Sequence, residues 1–216
     1  MSWIEPLRSA NWNHAAGILL GAYILGCFTT GYYLVRLLTG RDIRENGSGS
    51  VGARNVSRVL GKTGFTLTLL VDFAKGALVV QLARHFTTED CLVILAMMAV
   101  VAGHIWPIQL RFHGGKGMAT SLGSLLVYSP ELAMLFLLVF LCLFALLRKT
   151  VLPGLFALAS VPLLESLINP TPTKASVVLL AVWAGLVLFA HRKNLIDEFS
   201  HFNHRHHQPE SEQPQL

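Results

Sequence analysis

Apolar residues in this chain neither alternate nor recur on one helical face; they run in blocks. Seven blocks can be drawn, over about 17–38, 63–83, 90–106, 117–128, 131–147, 152–168 and 175–190. A helix needs about 20 such residues to cross the hydrocarbon of a bilayer. The blocks therefore predict an all-α, polytopic integral membrane bundle of about seven segments, with residues 1–200 forming one domain. The fourth block is too short for an ordinary crossing and the third is marginal. Both are expected to be tilted, broken or partly re-entrant, because irregular backbone at membrane depth persists only where it lines protein or a wet cavity. Residues 201–216 are polar and His-rich and are expected to form a tail without fixed structure.

Composition supports the blocks. At 53% hydrophobic and 13% charged over 216 residues, with mean hydropathy +0.54, the chain is too apolar for an ordinary soluble domain. The net charge of +5 and pI near 9.4 do not point to nucleic acid in such a chain. They point to orientation in the bilayer and to anionic ligands or lipid. Twelve of the 17 basic residues fall in the connections on one side, and Arg8, Arg84 and Lys174 on the other. That bias predicts the N-terminus outside and the C-terminus inside. The start, Met1–Ala16, carries Glu5 and Arg8 without a clear small-residue cleavage site, so it reads as leading into a retained first helix. Cys27, Cys91 and Cys142 lie in or beside apolar blocks and read as core packing. Three scattered cysteines make neither a disulfide framework nor a zinc site, and no metal is expected.

Three polar clusters fall on the inner side of this topology. The most informative is Gly103-His104-Ile105-Trp106-Pro107-Ile108-Gln109-Leu110-Arg111-Phe112-His113-Gly114-Gly115-Lys116-Gly117-Met118-Ala119-Thr120. Its glycines let the backbone aim several N–H groups at one point, and Lys116 adds a full charge. Nothing in lipid requires such a segment; an anionic substrate would use it. The second cluster runs from Ser48 to Arg58, where small residues, hydroxyls, Asn55 and two arginines suit phosphate. The third is His191-Arg192-Lys193-Asn194, at the end of the last block. Taken singly, each has a plain explanation as a turn or an interfacial anchor. Their shared side is the stronger signal. Asp72 and Lys75, three apart within the second block, would share a helix face. They form either a mutually neutralising structural pair or part of a cavity wall.

These residues resemble the bacterial acyl-phosphate–glycerol-3-phosphate acyltransferases, the PlsY family. That family's first motif reads roughly S-G-N-x-G-A-T-N-x-x-R, and Ser48, Gly49, Gly52, Ala53, Asn55 and Arg58 match it in register. The second, G-H-x-x-P followed by K-G-G-K-G-x-A-T, is matched by Gly103, His104, Pro107, Gly114, Gly115, Lys116, Gly117, Ala119 and Thr120. The third, H-x-x-N, is matched by His191 and Asn194. The chain departs from the pattern at Ser50 for Asn, Arg54 for Thr and His113 for Lys. Asp197 stands where the third motif continues to an Arg, an inverted charge that would weaken a phosphate site unless Arg54 compensates.

The resemblance implies a seven-helix enzyme of the bacterial inner membrane with its site on the cytoplasmic side. The reaction it implies moves an acyl group from acyl phosphate to the 1-hydroxyl of glycerol 3-phosphate, giving lysophosphatidic acid and phosphate. His191, Ser48 and Lys116 are the expected catalytic residues. Gly49, Gly52, Asn55, Arg58, His104, Gly114, Gly115, Gly117 and Asn194, with Ser48 and Lys116, are expected to bind substrate. The general base is either His191 or the acceptor's own phosphate. No cofactor is expected. The partners are the two substrates and membrane lipid, and an acyl chain would lie between helices.

Two other matches fail. Gly61-Lys62-Thr63 resembles the end of a phosphate-binding P-loop, but position 56 is Val where that pattern needs Gly, and no strand precedes it. His85 and Asp90 have the spacing of thioester-dependent glycerolipid acyltransferases but fall in an outer connection, away from the basic clusters. Two rival functions remain: an anion transporter, which would more naturally show internal repeats, and a catalytically weakened relative that binds acyl phosphate or phospholipid.

Overall fold

The computed structural model describes residues 12–196, and these form helices and connecting loops with no strand among them. The helices are α1 (Trp12–Cys27), α2 (Thr30–Thr39), α3 (Ala53–Phe86), α4 (Asp90–Ile105), α5 (Met118–Tyr128), α6 (Pro130–Leu147), α7 (Val151–Ile168) and α8 (Lys174–Ala190). Short 3₁₀ turns lie at Ile43–Glu45 and Ile108–Leu110. Among the described residues five segments are long and apolar enough to cross a membrane, and α5 and α8 are shorter apolar helices. The third block, marginal by sequence, becomes one of the five because the turn at Ile108–Leu110 extends it to 21 residues. The fourth stays short: 11 residues rise only about 16 Å at ~1.5 Å per residue. The expected tail at 201–216 and the departure at Asp197 lie outside the described residues.

Two irregularities differ from the expected blocks. The first block is not one helix; it breaks after Cys27, and α2 restarts at Thr30. The second begins ten residues earlier than its apolar run, because Ala53–Leu60 forms a polar helical segment ahead of a kink. Gly61 makes that kink, at φ 64° and ψ −157°, a conformation essentially confined to glycine. The P-loop-like triplet is therefore a bend inside a helix.

Helix ends are set by local chemistry. Ser129 accepts a hydrogen bond from the Leu132 N–H with Pro130 in the first turn of α6, and Thr173 accepts from the Ser176 N–H at the start of α8. Gly117, whose φ of 83° is left-handed, precedes the first residue of α5 as its cap.

Small residues let the helices approach closely, as they do where no hydrophobic drive distinguishes helix from lipid. A Cβ on Gly76 would strike the Thr120 carbonyl, and one on Gly123 the Phe73 carbonyl, so α3 and α5 touch backbone to backbone. Gly26 against Val100 and Gly103 against Tyr23 do the same for α1 and α4. The core contains Ile94, Met97, Leu125, Leu132, Leu158, Leu180 and Trp183. α6 instead exposes Met134, Leu137, Leu138 and Leu141, the expected dress of a lipid-facing helix. Cys142, read as core from sequence, is exposed on this helix, while Cys27 and Cys91 are buried.

The directions of these helices bring the three clusters to one end. α3 and α5 run side by side in the same sense, since Gly76 meets Thr120 and Arg84 donates to the Tyr128 carbonyl. Their starts, which follow the first and second clusters, are therefore neighbours. α4 and α8 finish together, with Trp106 against Phe189 at 6.3 Å between ring centres. The third cluster thus lies beside the second.

Candidate active site

The first cluster is a loop folded around one side chain. Asn55 is buried, and its amide N–H groups donate to the carbonyls of Ile43 (3.2 Å), Asn46 (2.8 Å) and Ser50 (2.9 Å). Its Oδ1 accepts from the Ser48 N–H at 3.1 Å and from Arg58 Nη1 at 3.4 Å. Ser48 and Arg58 are exposed and share this anchor. Gly49 takes φ 69° beside them, which suits a residue without Cβ. The Gly52 N–H donates to the Ser50 hydroxyl at 3.3 Å. Ser50 thus closes a local turn at the position where the motif has Asn.

A strap outside every motif joins this loop to the second. Arg44 binds the Asp42 carboxylate, donates to the Leu110 carbonyl at 2.9 Å and lies 5.3 Å from the centre of the Tyr32 ring. Bonding to Arg44 holds the Asp42 carboxyl below its ordinary pKa despite partial burial. Val35, Ile43, Val51, Val56 and Leu110 form a small core beneath the strap. The Val51 N–H reaches the Gly114 carbonyl at 3.5 Å. Sequence reasoning counted Arg44 only as a positive charge; nothing local in the chain distinguishes it.

The second cluster is held just as tightly. Gly114 N–H donates to the Ile105 carbonyl and Gly115 N–H to that of His104, both at 3.0 Å. Arg111 and Phe112 take left-handed conformations, φ 54° and 62°, to turn the chain back. His104 is buried, its ring packed against Gly115, where a Cβ would strike Nε2. His113, which stands for the motif's Lys, is exposed and bonds back to the Arg111 carbonyl.

Lys116 links this loop to the third cluster by donating to Asn194 Oδ1 at 2.5 Å. His191 is buried beside them at the end of α8, with Nδ1 2.9 Å from the Val187 carbonyl. A carbonyl only accepts, so Nδ1 carries the proton, and the neutral ring keeps its lone pair on Nε2. Burial pushes the His191 imidazole below the usual histidine pKa, and the charges of Lys116 and Arg54 push the same way against the Val187 bond. Arg192, by contrast, lies over the Phe189 ring at 4.4 Å, as an interfacial anchor would.

All three clusters therefore meet. Lys116, Asn194 and His191 gather directly; Arg54 is felt at His191; Ser48, Gly49, Gly52 and Arg58 arrive through the Asn55-centred loop. Asn55 and His104 sit beneath the surface rather than on it. The pair Asp72 and Lys75, left open by the sequence, is buried with its charges 3.1 Å apart. His85 and Asp90 lie at the opposite end, where Asp90 is 3.7 Å from Arg84 and His85 packs on Phe86.

Residues 16–200 match the family described as glycerol-3-phosphate acyltransferase. Glycerol-3-phosphate acyltransferase 1 of Desulfitobacterium hafniense (strain Y51) is 51% identical over 178 residues, covering 82% of this chain and 87% of its own. The glycerol-3-phosphate acyltransferase of Geotalea daltonii is 37% identical over 179 residues, covering 82% and 90%. The fold is also similar to crystal structures of PlsY, an integral membrane glycerol 3-phosphate acyltransferase. Its glycerol 3-phosphate form aligns at TM-score 0.79 and 33% identity, and its lysophosphatidic acid form at 0.76 and 31%. Both alignments cover 86% of this chain and 92% of the other. With the match spanning the helices and all three clusters, this chain belongs to the glycerol-3-phosphate acyltransferase family.

Proposed function

We propose that this protein transfers a fatty acyl group from acyl phosphate to the 1-hydroxyl of glycerol 3-phosphate, at the cytoplasmic face of a bacterial inner membrane. The observation that carries the reading is the meeting of Lys116, Asn194 and His191 beside the Ser48–Arg58 loop. Family membership supports the acceptor. Seven crossings, with α1 and α2 together forming the first and short α5 the fourth, put the N-terminus outside and the C-terminus inside. The charge bias of the connections favours that orientation.

Both substrates carry phosphate, so the site needs cations and N–H donors close together. Arg58, Lys116 and the Gly117 N–H supply them, whereas the Gly114 and Gly115 N–H groups, expected from sequence to bind substrate, are taken by the Ile105 and His104 carbonyls and shape the loop instead; Ser48 and Asn194 orient the glycerol hydroxyls. Gly49 and Gly52 allow close backbone approach, while Asn55 and His104 hold the two loops in shape. An acyl phosphate is already activated, so no covalent enzyme intermediate is needed. The acceptor oxygen attacks the acyl carbon, the bond from that carbon to the phosphate oxygen breaks, and inorganic phosphate leaves against Lys116 and the Gly117 N–H. The hydroxyl proton passes to His191 Nε2. The acyl chain lies among the helices, and its product remains in lipid.

The proton's destination is open to a pH test. A histidine held neutral by its surroundings keeps working below the usual histidine value of about 6.5. The acid limb of kcat is expected there, and Arg54→Thr should move it to higher pH, because removing a nearby cation favours the imidazolium. A limb unmoved by Arg54→Thr would assign the proton to the acceptor's phosphate instead.

The donor is tested with purified protein in lipid, glycerol 3-phosphate, and either palmitoyl phosphate or palmitoyl-CoA. Lysophosphatidic acid from palmitoyl phosphate alone is the expected result. Product from the CoA donor alone overturns the donor assignment, and no product from either marks a weakened relative.

A further inference from the structure

Acyl transfer as described leaves one costly feature unused. Asp72 and Lys75 are 2% and 8% exposed in the middle of α3, where an ionisable group is retained only for a reason. Mutual neutralisation would need nothing beyond the two residues, yet their contacts reach much further. Besides Asp72, the Lys75 ammonium lies 2.8 Å from the Phe28 carbonyl, 3.2 Å from the Gly26 carbonyl and 2.8 Å from His104 Nδ1. Thr30 donates to Asp72 Oδ1 at 3.0 Å.

Two consequences follow from donor and acceptor chemistry. The break between α1 and α2 frees carbonyls that a continuous helix would have satisfied. Lys75 takes those of Gly26 and Phe28, and Gln109, from the second cluster's loop, takes that of Cys27. Tyr23 of α1 donates to the Trp106 carbonyl at 2.8 Å, so the broken span and that loop are docked together. An ammonium has no lone pair, so His104 Nδ1 must accept from it, and the ring proton belongs on Nε2. Nε2 is the atom packed against Gly115, and the His104 carbonyl accepts the Gly115 N–H. Lys116 is the next residue.

We propose that Asp72 and Lys75 are positioning residues of the acyl-transfer site, fixing the tautomer of His104 and the seat of Gly115 and so placing Lys116 and the Gly117 N–H against the leaving phosphate. The inference rests on the acyl-transfer reading above. It assigns the buried pair to transition-state geometry and gives it no contact with substrate.

The test uses the full chain in lipid. Removing both charges together, as Asp72→Asn with Lys75→Met, avoids leaving one buried charge unpaired. With the thermal midpoint held near that of the wild type, kcat is expected to fall about 100-fold, the scale of an ångström-sized misplacement. KM for glycerol 3-phosphate should change less than about threefold, as for an interaction made only in the transition state. In parallel, ¹⁵N-histidine NMR of the wild type, with His104→Gln assigning the resonance, should show His104 protonated at Nε2. A folded double variant with wild-type kcat overturns the proposal. So does a wild-type His104 protonated at Nδ1, a result that needs no variant to fold. Activity is scored relative to the wild type with whichever donor the wild type accepts, so failure of the donor assignment is told apart from failure of this one.

Discussion

Lys116→Ala is expected to lower kcat by about 10²–10³-fold, the usual loss when one donor to a developing oxyanion is removed. Lys116 is half-buried, follows two glycines whose N–H groups are tied to the Ile105 and His104 carbonyls, and bonds Asn194 across the site. Its charge therefore sits at a fixed place between two loops. Thermal stability should change little, since the residue belongs to no part of the apolar core. Asn194→Ala should share part of the same loss. The two substitutions combined should cost less than the product of their separate effects, because each disturbs the same contact. Steady-state kinetics on the four proteins of that cycle checks both statements. An unaltered turnover for folded Lys116→Ala would remove the central residue from the mechanism.

The second large effect is expected at a residue that touches no reacting atom. Asn55→Leu keeps the branching of the side chain, with a larger volume, but leaves the Ile43, Asn46 and Ser50 carbonyls and the Ser48 N–H without their shared partner. Losing such bonds costs about 1–3 kcal/mol where water cannot fully replace them. Residues 43–50 would relax, carrying Ser48 away from Lys116. Activity should then drop about 100-fold, far out of proportion to a modest fall in thermal midpoint. Equal activity with lowered stability would make Asn55 a packing residue only. Comparing kcat/KM with the unfolding midpoint in the same detergent separates the two.

How much of this was legible in the sequence varies by element. The three site clusters were visible because each combines charge with glycine or small residues at the end of an apolar block, and the charge bias put them on one side. The break after Cys27 was not, because Gly26-Cys27-Phe28-Thr29-Thr30 holds no proline or charge to interrupt an apolar run. It exists because Lys75 and Gln109, far along the chain, accept the burden of its free carbonyls. The early start of α3 was missed for the opposite reason: 53–60 is polar, and block counting sees only what is apolar. The i, i+3 spacing of Asp72 and Lys75 was readable as a pair, and the structure bears out their contact. Their third partner, His104, lies 29 residues away, beyond any local pattern. Arg44 was invisible for the same reason, since its reach to Leu110 crosses 66 residues.

The most direct test of the whole account is the sidedness of its three loops. In a background lacking Cys27, Cys91 and Cys142, single cysteines at the exposed positions Ser48, His113 and Arg192 would be labelled in sealed vesicles of known orientation with a membrane-impermeant maleimide. The account predicts that all three react from the cytoplasmic side and from that side alone. Reaction of any one of them from the opposite face would mean that the three loops share no pocket.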